Sequence, residues 1–259
     1  MVANVQTEGS AKFTCKRPVQ DAPLRLFCFP YAGGGVSSFR TWPEYLPHNV
    51  ELQALEMPGR EGQLRQPSFV SVEPLVRAIA GAMKSYMDRP FAFFGHSMGA
   101  LMSFELARLL RREQGITPRA LFVSGRRAPH LPLEPATYNL PDDEFVQELR
   151  DIGGTPEEVL AHPELLKLLM PTLRADFELC QTYQYNDDAP LNCQITAFGG
   201  LNDQFVPRDE LDKWREQTTG PFHLRMFPGD HFFLHSSQTL LLQMLSRDLV
   251  NVISSLPKP

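Results

Sequence analysis

The chain has 259 residues, enough for one large α/β domain with a sizeable core. Its composition, 42% hydrophobic and 21% charged, is that of a globular protein, and a formal net charge of -5 argues against a nucleic-acid binder, whose footprint is basic. No run of Lys or Arg is long enough to attract an anionic membrane, and no segment approaches the ~20 continuous apolar residues of a membrane span.

In chain order, residues 1–21 are polar and lack the apolar stretch of a signal peptide. They predict a flexible leader, followed by a single domain over residues 22–259 in a cytoplasmic protein. Leu24–Phe29 (LRLFCF) reads as a strand, followed by the Gly-rich turn Pro30-Tyr31-Ala32-Gly33-Gly34-Gly35. Residues 50–55 (VELQAL) form a second strand candidate before a Pro58-Gly59 turn. Residues 72–87 carry Leu75, Val76, Ile79, Met83 and Met87 at helical spacing. Residues 91–94 (FAFF) are apolar without alternation, as strands are in a parallel sheet covered on both faces.

Residues 98–112 read as a helix and Ala120–Ser124 as another strand. Between residues 125 and 192 no buried strand is evident. Residues 142–151 and 163–183 look helical there, and Pro171 should kink or divide the second of these helices. Such an insertion reads as a helical lid at about residues 126–190. The alternative is that its helices belong to the core layer. Strands at 194–198 and 223–227 and helices at 208–217 and 238–253 complete the chain. Alternating strands and helices predict a mostly parallel sheet with helices on both faces.

Four cysteines, Cys15, Cys28, Cys180 and Cys193, include no C-x-x-C pair, so neither a zinc knuckle nor a redox motif is indicated. Cys28 and Cys193 lie in apolar runs, as small buried hydrophobes do, and a reduced compartment fits all four.

The chemistry concentrates around Gly95-His96-Ser97-Met98-Gly99, a G-x-S-x-G motif between an apolar strand and a helix. In that setting Ser97 occupies a sharp turn that lifts its hydroxyl above the sheet, at a helix N-terminus that favours negative charge. Serine needs a base, and in this arrangement the partners follow in the order Ser, acid, His. Of seven histidines, His231 lies in a loop after a strand and before the last helix, where it can reach Ser97. His48, His130 and His162 lie in Pro-flanked turns, His223 belongs to a strand, and His96 reads as support for the turn. His235 is the rival, with capping of the last helix as its other reading. The acid should follow strand 194–198, which selects Asp203 over Asp187 and Asp188 at the wrong end of that strand. Asp209 and Glu210 fall within the next helix, and Asp230 is too close in sequence to His231 to orient it. Two backbone N–H groups should receive the oxyanion: Met98, and Ala32 from the loop after the first strand. That loop lacks the glycine spacing and lysine of a phosphate-binding loop.

Phe29-Pro30-Tyr31-Ala32-Gly33-Gly34, Met57-Pro58-Gly59-Arg60, the Ser97 motif, Asp203 and Phe227-Pro228-Gly229-Asp230-His231-Phe232-Phe233 together resemble the type II (editing) thioesterases of polyketide synthase and non-ribosomal peptide synthetase systems. The resemblance runs from about residue 24 to about residue 253. It implies an α/β-hydrolase fold, no metal or other cofactor, and hydrolysis of acyl groups from the phosphopantetheine arm of an acyl or peptidyl carrier protein. Two positions depart from the family pattern: Tyr31 stands where His is frequent, and Asp230 where Gly is common. Arg60, Arg126 and Arg127 have two readings, contacts for an acidic carrier protein or its arm's phosphate, and ordinary solvated arginines. A carboxylesterase, a medium-chain fatty acyl carrier thioesterase and a non-catalytic hydrolase-like binding protein remain as alternatives. One compact domain with a lid predicts a monomer.

Overall fold

The computed structural model describes residues 10–133 and 135–257. Its strands are β1 (Lys12–Thr14), β2 (Leu24–Phe29), β3 (Val50–Glu56), β4 (Phe91–His96), β5 (Ala120–Ser124), β6 (Gln194–Gly200) and β7 (Phe222–Phe227). They form one seven-stranded sheet in the order β1-β3-β2-β4-β5-β6-β7. All neighbours are parallel except β1, which runs antiparallel to β3 at the edge.

The helices are α1 (Val72–Met83), α2 (Met98–Gln114), α3 (Asp142–Ile152), α4 (Glu157–Leu160), α5 (Pro163–Gln181), α6 (Arg208–Asp212), α7 (Phe233–Ser236) and α8 (Gln238–Ser254). Side chains alternate across the sheet. Phe27, Phe29, Phe91 and Phe93 face α1 and α2 in one core, while Leu26, Cys28, Ala92 and Phe94 face α8 in the other. Both faces are covered, so β2 and β4 are buried along their whole length. This is why their sequences are continuous apolar runs. Cys28 and Cys193 are buried, and burial pushes the Cys193 thiol up to about 12.

Three expectations change. Of the leader expected over residues 1–21, residues 1–9 lie outside the described residues, and residues 12–14 form β1. Phe13 gives β1 its anchor: its ring stands edge-on to Phe27 at 4.9 Å, and to Tyr86 at 5.8 Å. Pro171 does not divide the helix at 163–183, since α5 runs unbroken from Pro163 to Gln181. Between α3 and α5 the chain adds the short α4. All three helices of the segment between β5 and β6 converge on a core of their own around Phe145, Leu149, Leu160 and Leu173.

Among the described residues, no helix is long and apolar enough to cross a membrane. Phe13→Ala removes a partly exposed aromatic anchor from the edge strand. It should lower unfolding free energy by about 2 kcal/mol, read by urea titration, with the site beyond the end of the central strand β4 unaffected.

Candidate active site

The site lies where open parallel sheets place their ligands, beyond the carboxyl ends of the strands. It begins with backbone crowding. A Cβ on Gly95 would lie 2.1 Å from the Gly99 carbonyl oxygen, and a Cβ on Gly99 would lie 2.0 Å from the Phe29 carbonyl oxygen. Only glycine allows β4 to turn into α2 while α2 presses on the end of β2. The residue between them absorbs the turn: Ser97 has φ 52° and ψ -111°, a conformation costing about 1–3 kcal/mol. Its N–H donates to the Ser124 carbonyl at 2.7 Å, tying the turn to β5. Met98 is the first residue of α2, so its N–H has no intrahelical acceptor and stays available at the positive end of the helix.

The structure brings His231 and Asp203 together. His231 Nδ1 lies 2.8 Å from Asp203 Oδ2. The other carboxylate oxygen, Oδ1, accepts the Phe205 N–H at 2.9 Å and the Val206 N–H at 3.1 Å. All polar contacts of this fully buried carboxylate thus serve to aim one oxygen at the imidazole. The loops bearing the two residues are stitched together, with the Leu201 N–H donating to Phe227 O and the Asn202 N–H to Gly229 O. Ser97, His231 and Ala32 line one pocket of about 210 Å³, whose far wall includes Leu149, Leu173 and Phe177 from α3 and α5.

The rival histidine is engaged elsewhere. His235 lies in α7, with Nε2 2.9 Å from the Tyr31 hydroxyl. This pair gives Tyr31 a structural task at its departure from the family pattern, since its ring also packs edge-on against His96 and Phe232. Asp230 has a local task too: its Oδ1 accepts the Phe232 N–H at 2.8 Å, shaping the entry to α7.

Arg60 fits neither reading made from the sequence. It is buried and forms a two-pronged ion pair with Asp176 of α5, with Nη1 to Oδ2 and Nη2 to Oδ1 both 2.7 Å. Arg127 ion-pairs with Glu210, and the Arg126 carbonyl accepts the Trp214 indole N–H at 2.7 Å. The residues that sequence reasoning missed are Asp176 and Glu61. For Asp176 the sequence carries no distinguishing signal, since Glu164 and Glu178 lie in the same run of residues 163–183.

His96 lies fully buried beneath the site, with Nδ1 2.9 Å from Ser124 Oγ and its ring 5.3 Å from that of His231. Burial, reinforced by His231 and His235, holds its pKa well below the ordinary 6.5. The unfolded chain therefore takes up a proton here that the folded chain refuses. The resulting stability is complete above about pH 7 and is lost as pH falls below the unfolded value. Melting temperature should decline on acidification from that point, and His96→Gln should flatten the decline. An unchanged slope in the variant would assign the acid sensitivity to other groups.

Comparison with known proteins bears on the chemistry. A family model described as a thioesterase domain matches residues 24–249. The gramicidin S biosynthesis protein GrsT of Aneurinibacillus migulanus is 46% identical over 234 residues, covering 90% of this chain and 91% of that protein. Among solved structures, the RedJ thioesterase from the prodiginine biosynthetic pathway of Streptomyces coelicolor is 40% identical. It superposes with a TM-score of 0.83 over 90% of this chain and 91% of RedJ. The type II thioesterase BorB from the borrelidin biosynthetic cluster is 32% identical, with a TM-score of 0.83 over 91% of this chain and 96% of BorB. The chain has the α/β-hydrolase fold of these structures. It belongs to the thioesterase family and is a thioester hydrolase.

Proposed function

We propose that this enzyme is an editing thioesterase that clears stalled or mis-primed acyl units from the phosphopantetheine arms of carrier proteins in polyketide or non-ribosomal peptide assembly. The similarity to GrsT and BorB over nearly the whole chain supports the setting. The observation that carries the chemistry is the Asp203–His231 hydrogen bond at the pocket that also holds the strained Ser97.

In this reading Asp203 holds His231 in the tautomer whose Nε2 is free to accept a proton. His231 takes the proton of Ser97 Oγ as that oxygen attacks the thioester carbonyl carbon. The carbonyl oxygen becomes an oxyanion, received by the N–H groups of Met98 and Ala32. Collapse of the tetrahedral intermediate breaks the carbon–sulfur bond, and His231 returns the proton to the departing pantetheine thiol. Water, activated by the same imidazole, then releases the free acid and restores Ser97. The apolar side chains of Leu149, Leu173 and Phe177 receive the acyl group, and the segment bearing α3, α4 and α5 acts as the lid over it.

Ser97→Ala should abolish both acyl-enzyme formation and labelling by a serine-directed phosphonate. Retained burst labelling in that variant would sink the assignment. Asp203→Asn should preserve the fold and lower kcat by about 10⁴-fold, because the amide selects the wrong tautomer. A panel of acyl groups loaded on carrier protein, followed by mass spectrometry, tests the substrate class. Hydrolysis of the matching oxygen esters at equal kcat/KM would overturn the carrier-thioester reading.

A further inference from the structure

The Met57-Pro58-Gly59-Arg60 turn carries part of the family resemblance, yet it touches neither Ser97, His231 nor Asp203. Its contacts run instead to the Tyr31–Gly35 loop and to α5. Arg60 Nη1 donates to the Gly34 carbonyl at 3.2 Å as well as to Asp176 Oδ2. That same Asp176 oxygen accepts the Gly33 N–H at 2.7 Å. The neighbouring Glu61 carboxylate accepts the Val36 N–H at 2.8 Å and the Ser37 N–H at 3.1 Å. From α5, Thr172 Oγ1 donates to the Gly59 carbonyl at 2.6 Å. Arg60 and Asp176 are nearly inaccessible, with side chains 5% and 3% exposed, so water does not compete for the bonds between them, while those of Glu61 lie at the surface.

These bonds act on the orientation of one peptide plane. The Ala32 N–H shares a rigid peptide unit with the Tyr31 carbonyl. That carbonyl accepts the Gly34 N–H at 2.9 Å. Gly34 is in turn held through its own carbonyl by Arg60, and the intervening Gly33 N–H is held by Asp176. Every turn of the loop from residue 31 to residue 34 is therefore fixed by a bond that ends on the buried ion pair or is braced by it. Gly33 has φ 76°, and a Cβ there would lie 2.6 Å from Leu173 Cδ2, so α5 rests directly on the loop.

We propose that Asp176, locked by Arg60, is a positioning residue that sets the direction of the Ala32 N–H and makes the acyl-pocket helix and the oxyanion loop one mechanical unit. The inference rests on the reading of Ser97 as nucleophile and Ala32 as oxyanion donor. A misdirected donor loses its value only where the oxyanion exists, so the effect belongs to the transition state and not to substrate binding.

Asp176→Asn should lower kcat for an acyl-N-acetylcysteamine thioester about 100-fold while KM stays within about twofold. Affinity for the corresponding trifluoromethyl ketone, which forms a tetrahedral adduct with the serine, should fall by the same factor as kcat. Affinity for the non-hydrolysable thioether should be unchanged. The double variant Arg60→Met/Asp176→Leu removes the pair without leaving a buried unpaired charge, and such replacements preserve folding even where single ones do not. It should melt near the parent temperature and still show the reduced kcat. Recovery of kcat together with melting temperature in the double variant would make the pair a fold element only and overturn the proposal. Equal loss of thioether and ketone affinity would overturn it also. Wild-type kcat in both variants, with Ser97→Ala inactive, would reject the positioning role alone. Activity surviving in Ser97→Ala would reject the reading beneath it.

Discussion

The architecture depends on a contact between backbones. At the end of β4 the chain reverses into α2 within a few residues, and the cost is concentrated at Ser97, whose φ is 52°. That conformation is kept by a bond to β5 and by two contacts that exclude any side chain, Gly95 against Gly99 and Gly99 against Phe29. Strain of this kind persists only where the surroundings over-determine it. Here β2, β4, β5 and α2 all fix it. Because the loop after β2 begins one residue beyond the Phe29 carbonyl that α2 presses on, the same contact sets the distance between the serine and the Ala32 N–H.

Around this turn, each remaining polar group is held by backbone donors or by a buried partner. Asp203 is aimed by two N–H groups, and the His231 ring lies 5.3 Å from, and tilted 52° to, that of a His96 that burial keeps neutral. A neutral ring beneath His231 is compatible with a positive charge developing on it, where a second cation would oppose that charge. The Tyr31–His235 pair adjoins the same ring, with Tyr31 edge-on to His96 at 5.8 Å. In consequence both departures from the family pattern, Tyr31 and Asp230, stabilise the walls of the site.

Much of this was legible in the sequence, for identifiable reasons. The strands β2, β4 and β5 announce themselves because a sheet covered on both faces needs continuous apolar runs. Ser97, Asp203 and His231 follow from position, each in the loop after a strand. The edge strand β1 was not legible, because three residues with one inward phenylalanine carry no periodicity and their partner β3 lies about 40 residues away. The unbroken course of α5 through Pro171 was hidden because tertiary packing, not propensity, holds that helix. Arg60 reads as a surface arginine until its partner is known, and Asp176 is 116 residues distant. Loop-to-helix pairings of that range leave no local pattern, and Asp176 shares its stretch with Glu164 and Glu178.

The helix α5 shows how one element serves two demands. Thr172 and Asp176 lie four residues apart, so they share a stripe, and that stripe faces the Gly59–Arg60 turn and the loop after β2. Leu173 and Phe177 form the adjacent stripe, displaced by one residue, and that one faces the pocket. Substitution of Phe177 changes the volume and shape of that pocket without touching the anchoring bonds of the first stripe, whereas Leu173 also rests on Gly33 of the loop. Substitutions along the first alter the loop whatever chain is bound. The separation is only a rotation of about 100° around a single helix, so the two properties are chemically independent and mechanically joined.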